Sequence, residues 1–249
     1  MLKIQSGSFL SCHNFQKTQR KAFSVAEVLI TLGVIGVIAS IVLPMVKLKY
    51  QEITTVAKVR KVYALLNKGY EASIQRFGPV RYWALEGEKA FGSYKFVDYL
   101  IPEGLKVDTL KNLPEVEQYD LTGSVYGMKE SPQYRLQDGT MIFGVWVSDK
   151  NCGSNNYFSD DAFTNSVCGD ISIDIDGITK KNRLGIDQFQ FRIVKNGVIP
   201  MGHKSDKVRS INEFCNPKKP QLFNGYGCTA WIIEKGTMPW LYGKQVNWD

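Results

Sequence analysis

The sequence predicts an α+β protein in which a long amino-terminal helix packs on a small antiparallel β-sheet. An uncharged apolar run extends from Val28 to Val46, and helical periodicity then continues to Phe77. After residue 134 the period changes to two, and Asp-Gly and Asn-Gly dipeptides join short alternating runs, as in β-hairpins. The 249 residues can hold one medium-sized domain and a membrane segment.

The first 22 residues are polar and basic, and nothing in them predicts a fold. Lys3, Lys17, Arg20 and Lys21 supply four of the formal charges in a chain whose net charge is +7, and no acid offsets them there. A basic end of this kind is expected to stay on the cytoplasmic side of a membrane. The basic balance is therefore weak evidence for nucleic-acid binding.

The helix is predicted to start at Phe23 and to stop at Gly78-Pro79. Its apolar run matches the roughly 20 residues that a helix needs to cross a bilayer. Glu27 is the one acid beside this run, and a carboxylate at that depth is costly without a partner. From Val56 onward, apolar residues recur at steps of three and four, which is typical of a helix with one buried face.

An ordinary secretory leader is an alternative for the same stretch, because small residues precede a possible cut after Ala39. That cut would leave a soluble exported protein. It would require an unusually long charged region and would discard Glu27. We therefore favour a retained helix.

The segment around Phe23 resembles the amino-terminal signature of type IV pilins and type II secretion pseudopilins. That signature is a basic leader ending in a small residue, then Phe, then Glu four residues later, then an apolar helix. Here these are Ala22, Phe23, Glu27 and the run from Val28. Pro44 also matches, since many members carry a proline twenty-one residues after the first mature residue. Ala22 departs from the family, which usually has Gly before the cut.

The resemblance implies that a prepilin peptidase cleaves after Ala22 and that Phe23 becomes N-methylated. Glu27 would pair with the amino terminus of a neighbouring subunit during filament assembly. Gly33, Gly36 and Pro44 are points where the helix can bend. Residues 1–22 would be a leader, 23–46 a transmembrane and filament-core helix, and 47–249 a pilin-like head that includes the rest of the helix.

The expected partners are the prepilin peptidase, other pilin or pseudopilin subunits, the assembly platform and the lipid bilayer. The expected location is the bacterial cytoplasmic (inner) membrane, crossed once, with the head outside and the filament in the periplasm or at the cell surface. A secretion pseudopilus, a pilus and a DNA-uptake pseudopilus share this amino terminus. The alternative is a membrane-anchored binding or enzymatic domain with no filament role.

No enzyme is predicted, because the sequence contains no G-x-S-x-G, H-E-x-x-H or G-x-x-x-x-G-K-[ST] motif. His203 is the single histidine after the leader and is expected in an exposed loop. The carboxy-terminal aromatic residues are expected in the core or in subunit contacts.

The sheet is expected to have one face buried beneath the helix. Short helices are predicted over Glu88 to Leu100 and over Thr229 to Tyr242. The predicted strands and turns are Tyr134 to Gln137 and Thr140 to Val147 around Asp138-Gly139, Ile171 to Ile175 before Asp176-Gly177, and Phe189 to Val194 and Val198 to Met201 around Asn196-Gly197.

Four cysteines remain once Cys12 is removed with the leader, and an even number suits an oxidising compartment. Three pairings are possible. We favour Cys152 with Cys168 and Cys215 with Cys228, because each pair closes a short, turn-rich loop. Four buried free thiols are the alternative, and zinc is disfavoured because no C-x-x-C spacing occurs.

Asp174, Asp176 and Asp187 are calcium candidates, since calcium prefers several carboxylate and carbonyl oxygens. They resemble the acidic loops of some calcium-binding pseudopilins, although the spacing is not that of an EF-hand. Ordinary hairpin turns with solvated acids explain the same pattern, and we favour that interpretation. No cofactor is therefore expected.

Overall fold

The computed structural model describes residues 23–83, 99–101, 106–109, 116–130, 134–147, 152, 163–177 and 181–248. The chain divides into two compact units, Met1–Val46 and Lys47–Asp249. The fold is α+β, with a long apolar amino-terminal helix and antiparallel strands. We refer to Lys47–Asp249 as the head.

Helix α1 is Val25–Phe77 and contains 53 residues, so the predicted helix is confirmed to within two residues at its start. It ends where Gly78 adopts a positive φ of 76°, which glycine tolerates better than other residues. No residue is buried in the most apolar 18-residue stretch of α1. By length and composition, this helix can cross a membrane.

The part of α1 within the head packs on the main sheet. Tyr63 stacks on Phe191 with ring centroids 5.7 Å apart, and its hydroxyl donates to the Val198 carbonyl at 3.2 Å. Tyr70 donates to the Lys195 carbonyl at 2.6 Å. The buried residues of α1 are Glu52, Thr55, Val56, Val59, Val62, Leu66, Gly69, Tyr70 and Ser73.

Within the described residues, nine strands form two sheets. The main sheet has six antiparallel strands in the order β1-β4-β5-β6-β8-β9. The second has the order β3-β2-β7, with β2 antiparallel to β3 and parallel to β7. The strands are β1 Lys106–Thr109, β2 Val116–Tyr119, β3 Val125–Glu130, β4 Tyr134–Leu136, β5 Met141–Val147, β6 Val167–Asp174, β7 Asn182–Arg183, β8 Gln188–Val194 and β9 Gly197–Pro200.

Both predicted hairpins are confirmed. Strands β4 and β5 pair around Asp138-Gly139, and β8 and β9 pair around Asn196-Gly197. The sheet is predicted to have one face buried beneath the helix, and at β8 the structure covers both faces, since every residue of that strand is buried. Helices α2 (Ile211–Phe214) and α3 (Cys228–Lys235) belong to the carboxy-terminal segment, and α3 lies against β8 and β9.

The single helix predicted over residues 229–242 is wrong. Helix α3 stops at Lys235, where Gly236 has a φ of +68°. A short 3-10 helix, Pro239–Tyr242, follows and buries Trp240 in the core. Most of the helix predicted over residues 88–100 lies outside the described residues.

Candidate functional site

The amino-terminal end of α1 carries a capping box made by Ser24 and Glu27. The Ser24 hydroxyl oxygen accepts from the Glu27 backbone N–H at 3.2 Å. In return, Glu27 Oε2 accepts from the Ser24 backbone N–H at 2.8 Å and from the Ser24 hydroxyl at 3.0 Å. The carboxylate therefore lies at the positive end of the helix dipole, where negative charge is favoured.

The large apolar side chains from Phe23 to Val46 are exposed. Phe23 is 84% exposed and Met45 is 66% exposed, and neither has a covering contact within the described part of the chain. So large an apolar surface needs lipid or another apolar surface to cover it. The other members are Val25, Val28, Leu29, Ile30, Leu32, Val34, Ile35, Val37, Ile38, Ile41, Val42, Leu43 and Val46.

Of the two other positions taken from the family signature, the structure describes Pro44, whereas Ala22 lies outside the described residues. Pro44 lies inside α1, which is continuous through it, and it removes one backbone donor from the helix. Gly33 and Gly36 have open space where a side chain would be, so neither serves a close contact with the described residues.

The structure joins Cys152 to Cys168 and Cys215 to Cys228 by disulfides, the two pairings that the sequence favours. The Cα atoms of the pairs are 4.2 Å and 4.9 Å apart. The second pair links the end of α2 to the start of α3. Disulfides of this kind persist in oxidising compartments.

The three calcium candidates lie around the turn that follows β6. Asp174 is fully buried, and its Oδ1 accepts from the backbone N–H groups of Asp176 and Gly177, both at 2.9 Å. Asp187 is also buried, and its Oδ1 accepts from the Arg183 N–H at 2.5 Å. Asp176 is half-buried and lines a cavity of about 730 Å³ together with Asp187.

Burial shifts the protonation of the two most enclosed carboxyls. Burial, together with the neighbouring Asp176 carboxylate, raises the pKa of Asp174 to about 7. Burial likewise raises the pKa of Asp187 to about 8, with the Asp174 and Asp176 carboxylates acting in the same direction. A substantial fraction of both carboxyls is therefore protonated near neutral pH.

Metal coordination gains no support from this geometry. Within the described ranges, no group of three or more His, Cys, Asp or Glu side chains is arranged to hold a metal ion. One Asp174 oxygen is instead used by two backbone donors, the arrangement of an Asx turn. The turn interpretation accounts for those contacts, but its expectation of solvated acids is wrong, because Asp174 and Asp187 are buried.

A buried carboxylate in the head was not predicted. Glu52 is 4% exposed, and its Oε1 accepts from the Met238 N–H at 2.8 Å. Its Oε2 accepts from Lys49 Nζ at 2.7 Å and from the Tyr242 hydroxyl at 3.2 Å. Burial acts to raise the Glu52 pKa, but these three hydrogen bonds together lower it. Its place four residues before Val56, on the apolar helix face, was the available sequence signal.

A buried ion pair in the main sheet was also missed. Arg192 of β8 is 1% exposed, and its Nε lies 2.8 Å from Asp206 Oδ2. The alternating pattern of β8 indicated a strand, but it did not show that the carboxy-terminal segment would cover the second face. His203, expected to be exposed, is half-buried in a turn, where its Nδ1 accepts from the Ser205 N–H at 3.2 Å.

Comparison of the chain with protein-family models, with curated proteins and with solved structures finds no match.

Proposed function

We propose that the protein is a structural subunit of a type IV pilus-like or type II secretion pseudopilus filament. It is made as a prepilin, cleaved after Ala22 and N-methylated on Phe23. The subunit is first held in the cytoplasmic membrane with its head outside and is then transferred into a filament in which the apolar helices bundle.

The observation that carries this proposal is an exposed apolar half-helix with one carboxylate at its amino-terminal end. Lipid alone would cover the apolar surface, so exposure by itself supports only a membrane anchor. Glu27 favours a filament over a simple anchor, because an acid that enters an apolar helix bundle needs a cationic partner there.

The hydrogen bonds of Glu27 are compatible with such a partner. Both contacts with Ser24 use Oε2, whereas Oε1 accepts no hydrogen bond within the described part of the chain. Cleavage before Phe23 creates an amino group four residues away. The same amine on a neighbouring subunit supplies a cation for the remaining oxygen.

The deciding experiment is mass spectrometry of the amino-terminal peptide of the protein from membrane fractions. A strain with an active prepilin peptidase is compared with one that lacks the enzyme. We expect a peptide that begins at N-methylated Phe23 in the first strain and the uncut leader in the second. A peptide that retains residues 1–22 in both strains contradicts the proposal and leaves a simple membrane anchor. A start at Ser40 indicates an exported soluble protein.

A further inference from the structure

The cavity of about 730 Å³ in the head lies between the first turns of α1 beyond Val46, the turn after β6 and the β7 segment. Among the described residues, four basic side chains line it, namely Lys47, Lys58, Lys181 and Arg183. The acidic residues of the described lining are Asp176 and Asp187. The formal charge of this described lining is therefore positive.

In the part of the chain that the structure describes, the cations that line this cavity form no ion pair with a carboxylate. Lys58 Nζ donates to the Ile175 carbonyl at 2.8 Å, and the Arg183 guanidinium donates to the Leu121 carbonyl. Lys181 Nζ lies 4.9 Å from the centre of the Tyr119 ring. These partners are neutral, so they position the cations without cancelling their charge.

Two other lysines of α1 show the contrast. Lys49 and Lys61 are not among the lining residues, and they form ion pairs with Glu52 at 2.7 Å and Asp138 at 2.8 Å. Within the described ranges, no such pair forms for the four cavity cations. The acidic side of the cavity is further weakened because burial raises the pKa of Asp187 to about 8. A phosphate is a ligand that suits a cavity lined by several Lys and Arg side chains.

The source of that phosphate follows from the position of the cavity along the chain. Lys47 directly follows Val46, the last residue of the apolar stretch. Tyr50 lies about 6 Å beyond Val46 along the helix axis, at 1.5 Å per residue. The headgroup layer on each side of a bilayer is roughly 5–8 Å deep. Lys and Tyr are also residue types that anchor helices in this layer.

We propose that this cavity binds the phosphate headgroup of an anionic phospholipid in the leaflet that faces the head. The inference rests on the membrane anchoring in the proposed function, but not on cleavage or filament assembly. Lys47 contacts the headgroup at the mouth of the cavity, and Lys58 lies deeper in the head. The bound lipid holds the first turns of α1 beyond Val46 against the β7 segment.

The test uses the full chain in nanodiscs that contain equal amounts of phosphatidylglycerol and phosphatidylcholine. The lipids retained after release into detergent are counted by native mass spectrometry. We expect preferential retention of phosphatidylglycerol by the wild type. The double variant Lys47→Gln/Lys58→Gln should lose this preference by about ten-fold or more, since it removes two cations that line the cavity and each charge-assisted hydrogen bond is worth roughly a factor of ten.

The matched control is Lys49→Gln/Lys68→Gln, which also removes two charges from α1 and includes one at the same depth as Lys47. Both of its positions lie outside the cavity lining. The control should retain phosphatidylglycerol like the wild type. Equal losses in the two double variants, or no lipid preference in the wild type, would overturn the proposal.

Two further readouts separate this inference from others. Titration with glycerol 3-phosphate in pure phosphatidylcholine nanodiscs tests for a free phosphate ester, and tight binding there without lipid retention overturns the lipid assignment. The amino-terminal peptide is read from the same sample. Normal processing without lipid preference overturns only the cavity inference, whereas a chain recovered from the soluble fraction overturns both proposals.

Discussion

A buried carboxylate is stable when hydrogen-bond donors replace the water that it loses. Glu52 meets this condition with one backbone donor and two side-chain donors from two parts of the chain. Through Met238 and Tyr242 it ties α1 to the segment that ends in the carboxy-terminal 3-10 helix. Its role is therefore structural and independent of any ligand.

We predict that Glu52→Gln lowers the free energy of unfolding of the head by about 1–3 kcal/mol. The substitution replaces one accepting carboxylate oxygen by an NH₂ group, which cannot accept from the donors that now bind Glu52. Thermal unfolding of the full chain in detergent, followed by near-ultraviolet circular dichroism, measures this loss. Glu71→Gln is the control, since Glu71 is exposed on the same helix. Equal midpoints for wild type and Glu52→Gln contradict the assigned role.

The buried acids Asp174 and Asp187 predict that the stability of the head depends on pH. The pKa values of Asp174 and Asp187 in the folded protein are raised to about 7 and about 8, against about 4 in the unfolded chain. Between these limits the folded state holds more protons than the unfolded state. Stability is therefore predicted to fall as pH rises from about 5 to about 8.

Melting temperatures between pH 5 and pH 8, recorded with EDTA present, measure this slope. Asp187→Asn should flatten it, because the amide keeps the shape but binds no proton. The slope belongs jointly to the interacting acids, so Asp174→Asn should also reduce it. A wild-type midpoint that rises across this range, with Asp187→Asn showing the same rise, refutes the prediction.

At the scale of the structural elements, α1 packs closely against the backbone of Leu100, and Gly69 is the helix residue at this contact. An added Cβ at Gly69 would lie 1.6 Å from the Leu100 carbonyl oxygen, a distance that requires backbone movement. The hydroxyl of Ser73, one turn later, donates to the Tyr99 carbonyl. This glycine therefore serves close packing and not helix flexibility.

We predict that Gly69→Ala destabilises the head by about 1–3 kcal/mol through overpacking, although alanine favours an isolated helix by about 1 kcal/mol. The control is Gly36→Ala, where nothing lies within 4 Å of the added atom. Thermal unfolding of the head should respond to the first substitution only. An increase in midpoint for Gly69→Ala would show that the two segments separate without cost.

The elements that sequence could predict are those with local signals. The apolar run and the helical stripe predict α1, and the two turn dipeptides predict the β4–β5 and β8–β9 hairpins. Each of these signals lies within a short stretch of sequence, and the structure contains all three elements. The second sheet could not be predicted, because β2 is short and partly polar and pairs in parallel with the two-residue β7. Such strands are stabilised by contacts far apart in sequence.

The same distinction applies to the candidate sites. Glu27 and the favoured cysteine pairings come from local spacing. The cavity that we propose as a phosphate site brings α1 together with residues more than 100 positions later, so no sequence window contains it. Helix α3 ends at Gly236 for a local reason, but the burial of Arg192 depends on where the last part of the chain lies.

At the scale of the whole molecule, an exposed apolar half-helix is joined to a head with its own core. The head contains every residue of the hydrophobic core cluster, from Val56 to Val246. Its folding is therefore predicted to be insensitive to substitutions at the amino-terminal end of α1. This separation allows assembly to be tested without unfolding the head.

We predict that Glu27→Gln leaves membrane levels and the melting temperature of the head unchanged but reduces filament assembly at least ten-fold. The amide keeps the size of the side chain and removes the charge that a neighbouring amine requires. Assembly is measured by the recovery of sheared filaments and by chemical cross-linking of adjacent subunits.

Ser24→Ala provides the matched control, because the capping box gives Glu27 a competing role within its own helix. Loss of the Ser24 hydroxyl removes one half of that box, which is worth about 1 kcal/mol at a helix end, and retains the carboxylate. Filaments should therefore persist in Ser24→Ala. If both variants fail equally, Glu27 acts by ordering its own helix, and the intersubunit ion pair is ruled out.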